Sequence, residues 1–340
     1  MSKVVCFGEV MLRLNPEGYL RILQSNKFEA SYAGSETSVA VSLASLGVSS
    51  TFVTKLPKHE IGQAAINEIR RYGVNTDHIL LDDERLGIYF VEKGASQRSS
   101  RVIYDRKNSS ISLAKRNDFN WEEIFMEAGW FHFSGITPAL GGNLPDICLD
   151  ACRTAKKLGL MVSCDLNFRS QLWTTELASE VMNELMSYVD ICIGNEEDAE
   201  NVFGIVPKSN VENFQSISPE DYKDVASQLL ERYNLKFVAF TLRESLSASR
   251  NLWSGLLYNG NQFHISKKYD VQIIDRLGAG DSFSAALIYS LIEEYSFEDT
   301  IDFAVAASCL KHSIEKDFNL VNVTEIMSLM NGNGSGRVRR

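Results

Sequence analysis

The sequence contains no long apolar run, and no segment approaches the roughly 20 apolar residues that a membrane-spanning helix requires. Its amino-terminal run, MSKVVCFGEVML, is too short for a signal peptide and is interrupted by Glu9. Basic residues are not in excess either, because 34 Lys and Arg stand against 44 Asp and Glu, a formal net charge of −10. These absences predict a cytoplasmic protein without a general affinity for membranes or nucleic acid, and they favour a small-molecule partner.

Paired cysteine motifs are also missing. The six cysteines are scattered, mostly in apolar stretches, without a C-x-x-C or a Cys/His spacing typical of zinc sites. We therefore expect buried thiols in a reducing compartment. Cys148 and Cys152 lie one helical turn apart, a spacing typical of the core side of a helix.

What the sequence does contain is an alternation of short apolar runs with helical segments of about a dozen residues. Val4 to Phe7 is typical of a buried strand, and residues 35–47 are typical of a helix that ends at Gly47. With 340 residues, 44% of them apolar, the chain can form one large core or two ordinary domains. The alternation predicts an α/β fold whose largely parallel sheet is covered on both faces, with a ligand site at the carboxyl ends of the strands.

One region breaks the alternation. Residues 86–113 contain two alternating apolar runs around a polar turn, which predicts a β-hairpin. Together with residues 13–32 it would form a small sheet, either a lid over a cleft or an ordinary edge hairpin. The resulting division is 1–12, 33–85 and 114–330 for the α/β core, 13–32 and 86–113 for a β lid, and 331–340 for a flexible tail.

The segment IIDRLGAGDSF, residues 273–283, places two glycines and an acid where an apolar strand is expected to become a helix. A strand that stops at Asp275 and a helix that starts near Asp281 leave free backbone N–H groups, which favour an anion. Gly278 and Gly280 would allow a positive φ and close approach of a ligand. The ordinary phosphate-binding motifs do not match, because there is no G-x-x-x-x-G-K-[ST] and no third glycine of G-x-G-x-x-G.

Asp281 has two interpretations. Aspartate caps helices well, and capping alone would explain its position. However, capping needs no pair of glycines before it, and a carboxylate beside an anion site is electrostatically costly unless a proton or a cation moves between them. This favours phosphoryl transfer onto a hydroxyl group, with Asp281 as general base and the loop amides holding the phosphate.

The segment DRLGAGDSF resembles the D-T-x-G-A-G-D signature of the ribokinase-like carbohydrate kinase family. An early Gly34 segment, the hairpin, NEED, a TLR stretch and GAGD follow that family's order across residues 3–330. The resemblance implies a ribokinase-like three-layer α/β/α core with a mostly parallel sheet, a small β-sheet lid, and ATP with Mg²⁺ as cofactors. It also implies Asp281 as catalytic base and an anion hole formed by Gly278, Ala279 and Gly280 with the Asp281 amide.

The same resemblance implies the nucleotide and metal positions. NEED, residues 195–198, is similar to the family's N-x-x-E motif, which organises Mg²⁺ and phosphates partly through water. ATP contacts are then expected from Asn195, Thr241, Gly278 and Gly280, and a Mg²⁺ site from Asp198 and Glu197. Asp275 matches the first acid of the signature, which in many relatives helps to bind a monovalent cation such as K⁺, although Arg276 replaces the usual threonine.

Within the family, DLNFRSQLW, TLRESLSASRNLWSG and KDFNLVNV look most like 2-keto-3-deoxygluconate kinases. This implies sugar-acid contacts from Gly34, Tyr89, Tyr104, Arg106, Arg169 and Asp317. Tyr104 and Arg106 are two residues apart, hence on one face of a strand, and guanidinium groups bind carboxylates bidentately. Ser38 replaces the family's hydroxyl-binding asparagine, so that contact does not carry over.

The expected function is ATP-dependent phosphorylation of 2-keto-3-deoxygluconate to its 6-phosphate. The alternatives are a fructokinase or another ribokinase-like sugar kinase, and a non-catalytic sugar-acid sensor. The intact Asp281 opposes the sensor, because a sensor needs no general base. Since lids in this family often pair, a homo-oligomer through the lid is a further expectation.

Overall fold

The computed structural model describes residues 3–209 and 218–332, so the predicted tail lies outside the described residues except for its first two positions. The strands are β1 Lys3–Phe7, β2 Met11–Asn15, β3 Glu29–Ala33, β4 Ser50–Pro57, β5 Ile79–Asp82, β6 Gly87–Glu92, β7 Arg101–Asp105, β8 Ala128–Ser134, β9 Met161–Asp165, β10 Ile191–Gly194, β11 Phe237–Ser247, β12 Arg250–Tyr258, β13 Phe263–Ile265 and β14 Tyr269–Gln272. The α-helices are α1 Ser35–Ser45, α2 Glu60–Arg71, α3 Trp121–Ile124, α4 Ile136–Ala139, α5 Leu144–Lys157, α6 Thr175–Met186, α7 Glu196–Phe203, α8 Pro219–Tyr233, α9 Ala279–Ile292, α10 Phe297–Lys311 and α11 Val323–Met330.

The main sheet has the strand order β13-β12-β11-β10-β9-β8-β1-β4-β5, and β14 pairs with β12. The pairs from β5 across to β11 are parallel, whereas β12 pairs antiparallel with its three neighbours. The predicted α/β fold with a mostly parallel sheet is therefore confirmed. Parallel strands end at the same edge of a sheet, and this arrangement brings their carboxyl ends together.

Strand β1 shows why the main sheet folds as a middle layer. Val5 and Phe7 belong to the apolar cluster that includes α5, α6 and α8, whereas Val4 and Cys6 belong to the cluster that includes α1, α9 and α10. Successive side chains of a strand point to opposite faces, so both faces of β1 are covered by helices. A strand buried on both faces has a continuous apolar sequence, as β1 has.

A second, small sheet has the order β3-β2-β6-β7. The predicted hairpin is confirmed, because β6 and β7 pair antiparallel with Tyr89 opposite Tyr104. Strand β2 joins the hairpin in parallel and places Arg13 opposite Tyr89. β2 begins at Met11, two residues before the predicted start of the lid. Whether the small sheet moves as a lid stays a prediction.

The expected burial of the thiols is found for five of the six cysteines. All six thiols are free, five are buried and Cys309 is half-buried. Cys148 and Cys152 both lie within the apolar cluster around α5, as their spacing predicts. Within residues 3–209 and 218–332, no helix combines the length and apolarity that crossing a membrane would take.

Candidate active site

A cleft of about 580 Å³ lies at the carboxyl ends of the parallel strands, between the main sheet and the small sheet. This volume is typical of small-molecule sites. All the predicted site residues except Asp275 line it, namely Gly34, Tyr89, Tyr104, Arg106, Arg169, Asn195, Glu197, Asp198, Thr241, Gly278, Ala279, Gly280, Asp281 and Asp317. The structure thus brings together residues that are up to 283 positions apart, from Gly34 to Asp317.

The GAGD loop forms the amino-terminal end of α9, which begins at Ala279, two residues earlier than expected. Gly278 has a φ of +82°, and a Cβ there would lie 1.9 Å from the Asp317 carbonyl oxygen, so only glycine fits. Gly280 does not use the positive φ that glycine allows, because it is the second residue of the helix. Ser282 N donates to Gly278 O at 2.9 Å, which is the first hydrogen bond of the helix. The N–H groups of Gly280 and Asp281 precede this bond in the first turn and can bind an anion.

Asp281 lies at the floor of the cleft, and its Oδ1 accepts a hydrogen bond of 2.6 Å from Ser35 Oγ. Burial raises the pKa of Asp281 to about 7, and the neighbouring Glu36 carboxylate acts in the same direction. The bond from Ser35 lowers this pKa in part. A carboxyl group with a pKa near neutrality suits a general base, since it is available as the base and still a strong enough acceptor.

Ser35 and Glu36 were not predicted as site residues, although both follow Gly34 at the start of α1. A Cβ on Gly34 would lie 1.8 Å from the Glu9 carbonyl oxygen, so glycine allows α1 to begin against this backbone. Glu36 is buried and accepts hydrogen bonds from the Ser134 N–H, the Ser134 hydroxyl and the Thr137 hydroxyl. Glu36 thereby fixes α1 to the end of β8.

Two further carboxylates face Asp281 from the ends of neighbouring elements. Asp165 ends β9, and burial, followed by the charges of Asp198 and Asp281, raises its pKa well above the usual range. Burial raises the pKa of Asp198 to about 6, while its Oδ1 accepts from Phe168 N at 3.1 Å. Asp165 was not predicted, although an acid that ends an apolar strand is a readable signal.

The cluster of Asp165, Asp198 and Asp281 carboxylates fits a divalent cation, because a bound cation would offset their mutual repulsion. In the described ranges, no group of three His, Cys, Asp or Glu side chains could hold a metal directly. Contacts through water, as the N-x-x-E resemblance implies, agree with this geometry. Asn195 also caps α7, since its Oδ1 accepts from Asp198 N at 2.8 Å. Glu197 is exposed on the same helix and faces the cleft.

The two predicted carboxylate-binding arginines, which both line the cleft, differ in their contacts. Arg106 lies over the Tyr104 ring and donates to Glu9 Oε2, with a distance of 2.8 Å from its Nε. Glu9 was missed as a partner because it is 97 residues from Arg106. Arg169 is exposed to the cleft, its one hydrogen bond goes to the Phe168 carbonyl at 3.1 Å, and it forms no ion pair with any described residue. Arg169 is therefore the better placed of the two to bind an anion.

Asp317 and Asp275 are held by Arg13, a buried residue of β2 that the sequence analysis did not identify. Arg13 donates to Asp317 Oδ2 and to Asp275 Oδ2, both at 2.6 Å. Asp317 Oδ1 also accepts from the Tyr89 hydroxyl at 3.0 Å, and Asp275 Oδ1 accepts from Leu277 N at 3.1 Å. The predicted monovalent cation site at Asp275 does not fit this arrangement, because both carboxylate oxygens are already bonded and the residue does not line the cleft.

Comparisons with known proteins agree with this geometry. The model of the pfkB family of carbohydrate kinases matches residues 1–314. A crystal structure of 2-dehydro-3-deoxygluconokinase from Thermotoga maritima is 49% identical, with a TM-score of 0.93 over 97% of this chain and 98% of that one. The 2-dehydro-3-deoxygalactonokinase of Haloferax volcanii is 29% identical over 98% of both chains. A ribokinase-like protein from E. coli, solved with ATP and Mg²⁺, has a TM-score of 0.80 at 19% identity and shares the fold.

Proposed function

We propose, from the premise that this chain belongs to the pfkB family of carbohydrate kinases, that it phosphorylates 2-keto-3-deoxygluconate with ATP to give the 6-phosphate. The observation that carries the proposal is the Arg169 guanidinium, which lines the same cleft as Asp281 and forms no ion pair with any residue that the structure describes. The similarity to the Thermotoga maritima protein supports the same substrate, whose other name is 2-dehydro-3-deoxygluconate.

The charges of the cleft explain why a sugar acid needs Arg169. Asp165, Asp198 and Asp281 all line the cleft, so a carboxylate ligand would be repelled from the part of the surface that these acids form. An exposed guanidinium can bind a carboxylate with two parallel hydrogen bonds. Arg169 therefore gives an anionic sugar a place to bind and a defined orientation in a cleft that Tyr89 and Tyr104 also line.

The chemistry follows from the ends of α9 and α1. Asp281 takes the proton of the terminal hydroxyl group. At the same time, the hydroxyl oxygen of the sugar forms the new bond to the γ-phosphorus. The bond from that phosphorus to the bridging oxygen breaks, and its electron pair leaves with ADP. The N–H groups of Gly280 and Asp281 donate to the transferring phosphoryl group, and Ser35 holds the carboxylate in place. Mg²⁺, when bound, would offset the phosphate charge, with Asn195, Glu197 and Asp198 holding it through water.

A coupled assay of ADP release over sugar acids and neutral sugars tests the proposal. We expect kcat/KM for 2-keto-3-deoxygluconate to exceed that for fructose by at least about tenfold, or roughly 1.4 kcal/mol. The galacto epimer is a second arm, because the Haloferax volcanii relative is named for it. A preference for fructose would favour the fructokinase alternative, and no ADP release with any sugar would favour the sensor.

A further inference from the structure

Three separate parts of the molecule meet at one buried guanidinium. Arg13 belongs to the small sheet, Asp275 opens the GAGD loop, and Asp317 lies in the loop after α10. Arg13 is completely buried, and its Nη1 and Nη2 each donate to a different carboxylate at 2.6 Å. One guanidinium therefore neutralises two buried acids and ties the small sheet to both loops.

The two loops that Arg13 joins form the back of the proposed anion hole. Lys316 N donates to Asp275 Oδ2 at 3.2 Å, which adds a direct bond between the loops. The close approach of Gly278 to the Asp317 carbonyl oxygen leaves no room for a side chain there. A change in the spacing between Asp275 and Asp317 would consequently displace Gly278, and with it the start of α9.

The local charge is balanced without an added ion. Lys311 is buried beside the same two acids, and its ammonium donates to the Ile314 carbonyl at 3.0 Å. Two cationic side chains, Arg13 and Lys311, thus accompany two carboxylates, Asp275 and Asp317. A monovalent cation at this point would have to displace a guanidinium that already satisfies both acids, which is costly for a buried ion pair.

We propose that Arg13 is an internal cation that positions the anion hole, so that phosphoryl transfer by this protein does not depend on a monovalent metal ion. The inference rests on the proposed phosphoryl transfer and adds a positioning residue to it. Arg13 acts through Asp275 and Gly278 and does not line the cleft itself.

The first test measures kcat and KM while KCl replaces tetramethylammonium chloride at constant ionic strength. The kcat of the wild type should change by less than about twofold. Arg13→Ala should lose at least about tenfold in kcat without K⁺, because two buried carboxylates then repel each other, and K⁺ or guanidinium should restore part of the loss. Arg101→Ala, which removes an exposed arginine of the same small sheet, is the matched control and should behave as the wild type.

The second test needs no sugar and measures the melting temperature. Arg13→Ala should melt on the order of 5–10 °C below the wild type, and K⁺ should raise its melting temperature more than that of Arg101→Ala. Arg13→Lys keeps one charge but cannot hold both acids in the same geometry, so it should lose kcat and gain nothing from K⁺. This variant carries the test if Arg13→Ala does not fold.

Three results would overturn the inference. The first is a wild type that K⁺ activates severalfold. The second is an Arg13→Lys variant with the kcat of the wild type. The third is an Arg13→Ala variant whose kcat and melting temperature respond to neither K⁺ nor guanidinium. A wild type that phosphorylates no sugar would contradict the proposed function instead, while the melting comparison would still decide whether Arg13 replaces a cation.

Discussion

The main sheet and the small sheet differ in how much apolar packing holds them in place. Helices cover both faces of the main sheet with two large apolar clusters. The small sheet has an apolar cluster of only three buried side chains, Met11, Tyr89 and Val91. Ala33, Leu12 and Tyr32 of the small sheet also pack against the cluster of α1, α9 and α10. Polar links join the small sheet to the rest of the molecule as well, including the pair of Arg106 with Glu9 and the Arg13 bridge.

This difference separates two tasks within one cleft. Apolar packing is non-directional and collectively strong, so the main body holds Asp281 and the start of α9 in fixed positions. Ion pairs and hydrogen bonds are directional and depend on the exact partner. We infer that the main body supplies the chemistry, while the small sheet and the loop that carries Arg169 recognise the sugar.

The largest expected effect is on the chemistry of the main body. Asp281→Asn should lower kcat by about 10²–10⁴ for every accepted sugar, because an amide cannot take the hydroxyl proton. Binding of ATP and of the sugar should change little. The measurements are ADP release and calorimetric binding, and retention of more than about a tenth of kcat would contradict the role of Asp281.

Substitution of the two arginines should affect selectivity rather than chemistry in general. Arg169→Ala should lower kcat/KM for 2-keto-3-deoxygluconate by at least about tenfold, because the substrate carboxylate loses its partner. Residual activity on fructose should fall much less. Equal losses for the sugar acid and fructose would mean that Arg169 binds phosphate or supports the fold.

The variants Arg106→Ala and Arg169→Ala should also differ in stability, because Arg106 already has a protein partner. Its removal leaves Glu9 buried without a counter-charge, which costs about 3–5 kcal/mol of folding free energy. Arg169 is exposed and forms no ion pair with any described residue, so Arg169→Ala should lose less unfolding free energy than Arg106→Ala. Urea unfolding of both variants checks this difference, and equal stability of the two would contradict the assigned ion pair.

The pH dependence tests the environment of the main-body carboxylate. The base works when deprotonated, so activity is present above its pKa and is lost as the pH falls through it. With a pKa of Asp281 of about 7, kcat/KM should fall about tenfold per pH unit in acid below that value. A profile that stays flat down to pH ~5 would mean that burial does not raise this pKa.

The smallest effect concerns motion of the small sheet. Hydrogen exchange of residues 86–110 should slow when the sugar acid binds, because Tyr104, which is 39% exposed, gains a partner. Exchange of the central strands β1 and β8 should not change. Identical exchange of the hairpin with and without substrate would favour a static edge hairpin over a lid.

The parallel sheet and the GAGD loop could be predicted from the sequence, because both depend on residues that are close together in the chain. The apolar runs revealed the parallel sheet, since strands such as β1 are buried on both faces. The GAGD loop was visible because Gly278 and Asp281 are close in the chain. The expected start of α9 near Asp281 was two residues late, because the pattern does not show at which residue the helix begins.

What the sequence did not reveal depends on partners far apart in the chain. Arg13 is 262 residues from Asp275 and 304 from Asp317, so only the fold brings these charges together. The strand sequence MLRLN does not signal these contacts, because Arg13 alternates with two leucines and only the structure shows that its face is the buried one. A buried arginine on a strand implies a buried acid, but not which one.

Product identification by nuclear magnetic resonance tests the central claim most directly. The wild type is incubated with ATP, Mg²⁺ and 2-keto-3-deoxygluconate, and coupling from phosphorus to sugar protons locates the new phosphate. The account predicts coupling to the protons on carbon 6 only, and no product with Asp281→Asn. Phosphate on another carbon, or no phosphorylated sugar acid under conditions in which fructose is phosphorylated, would contradict it.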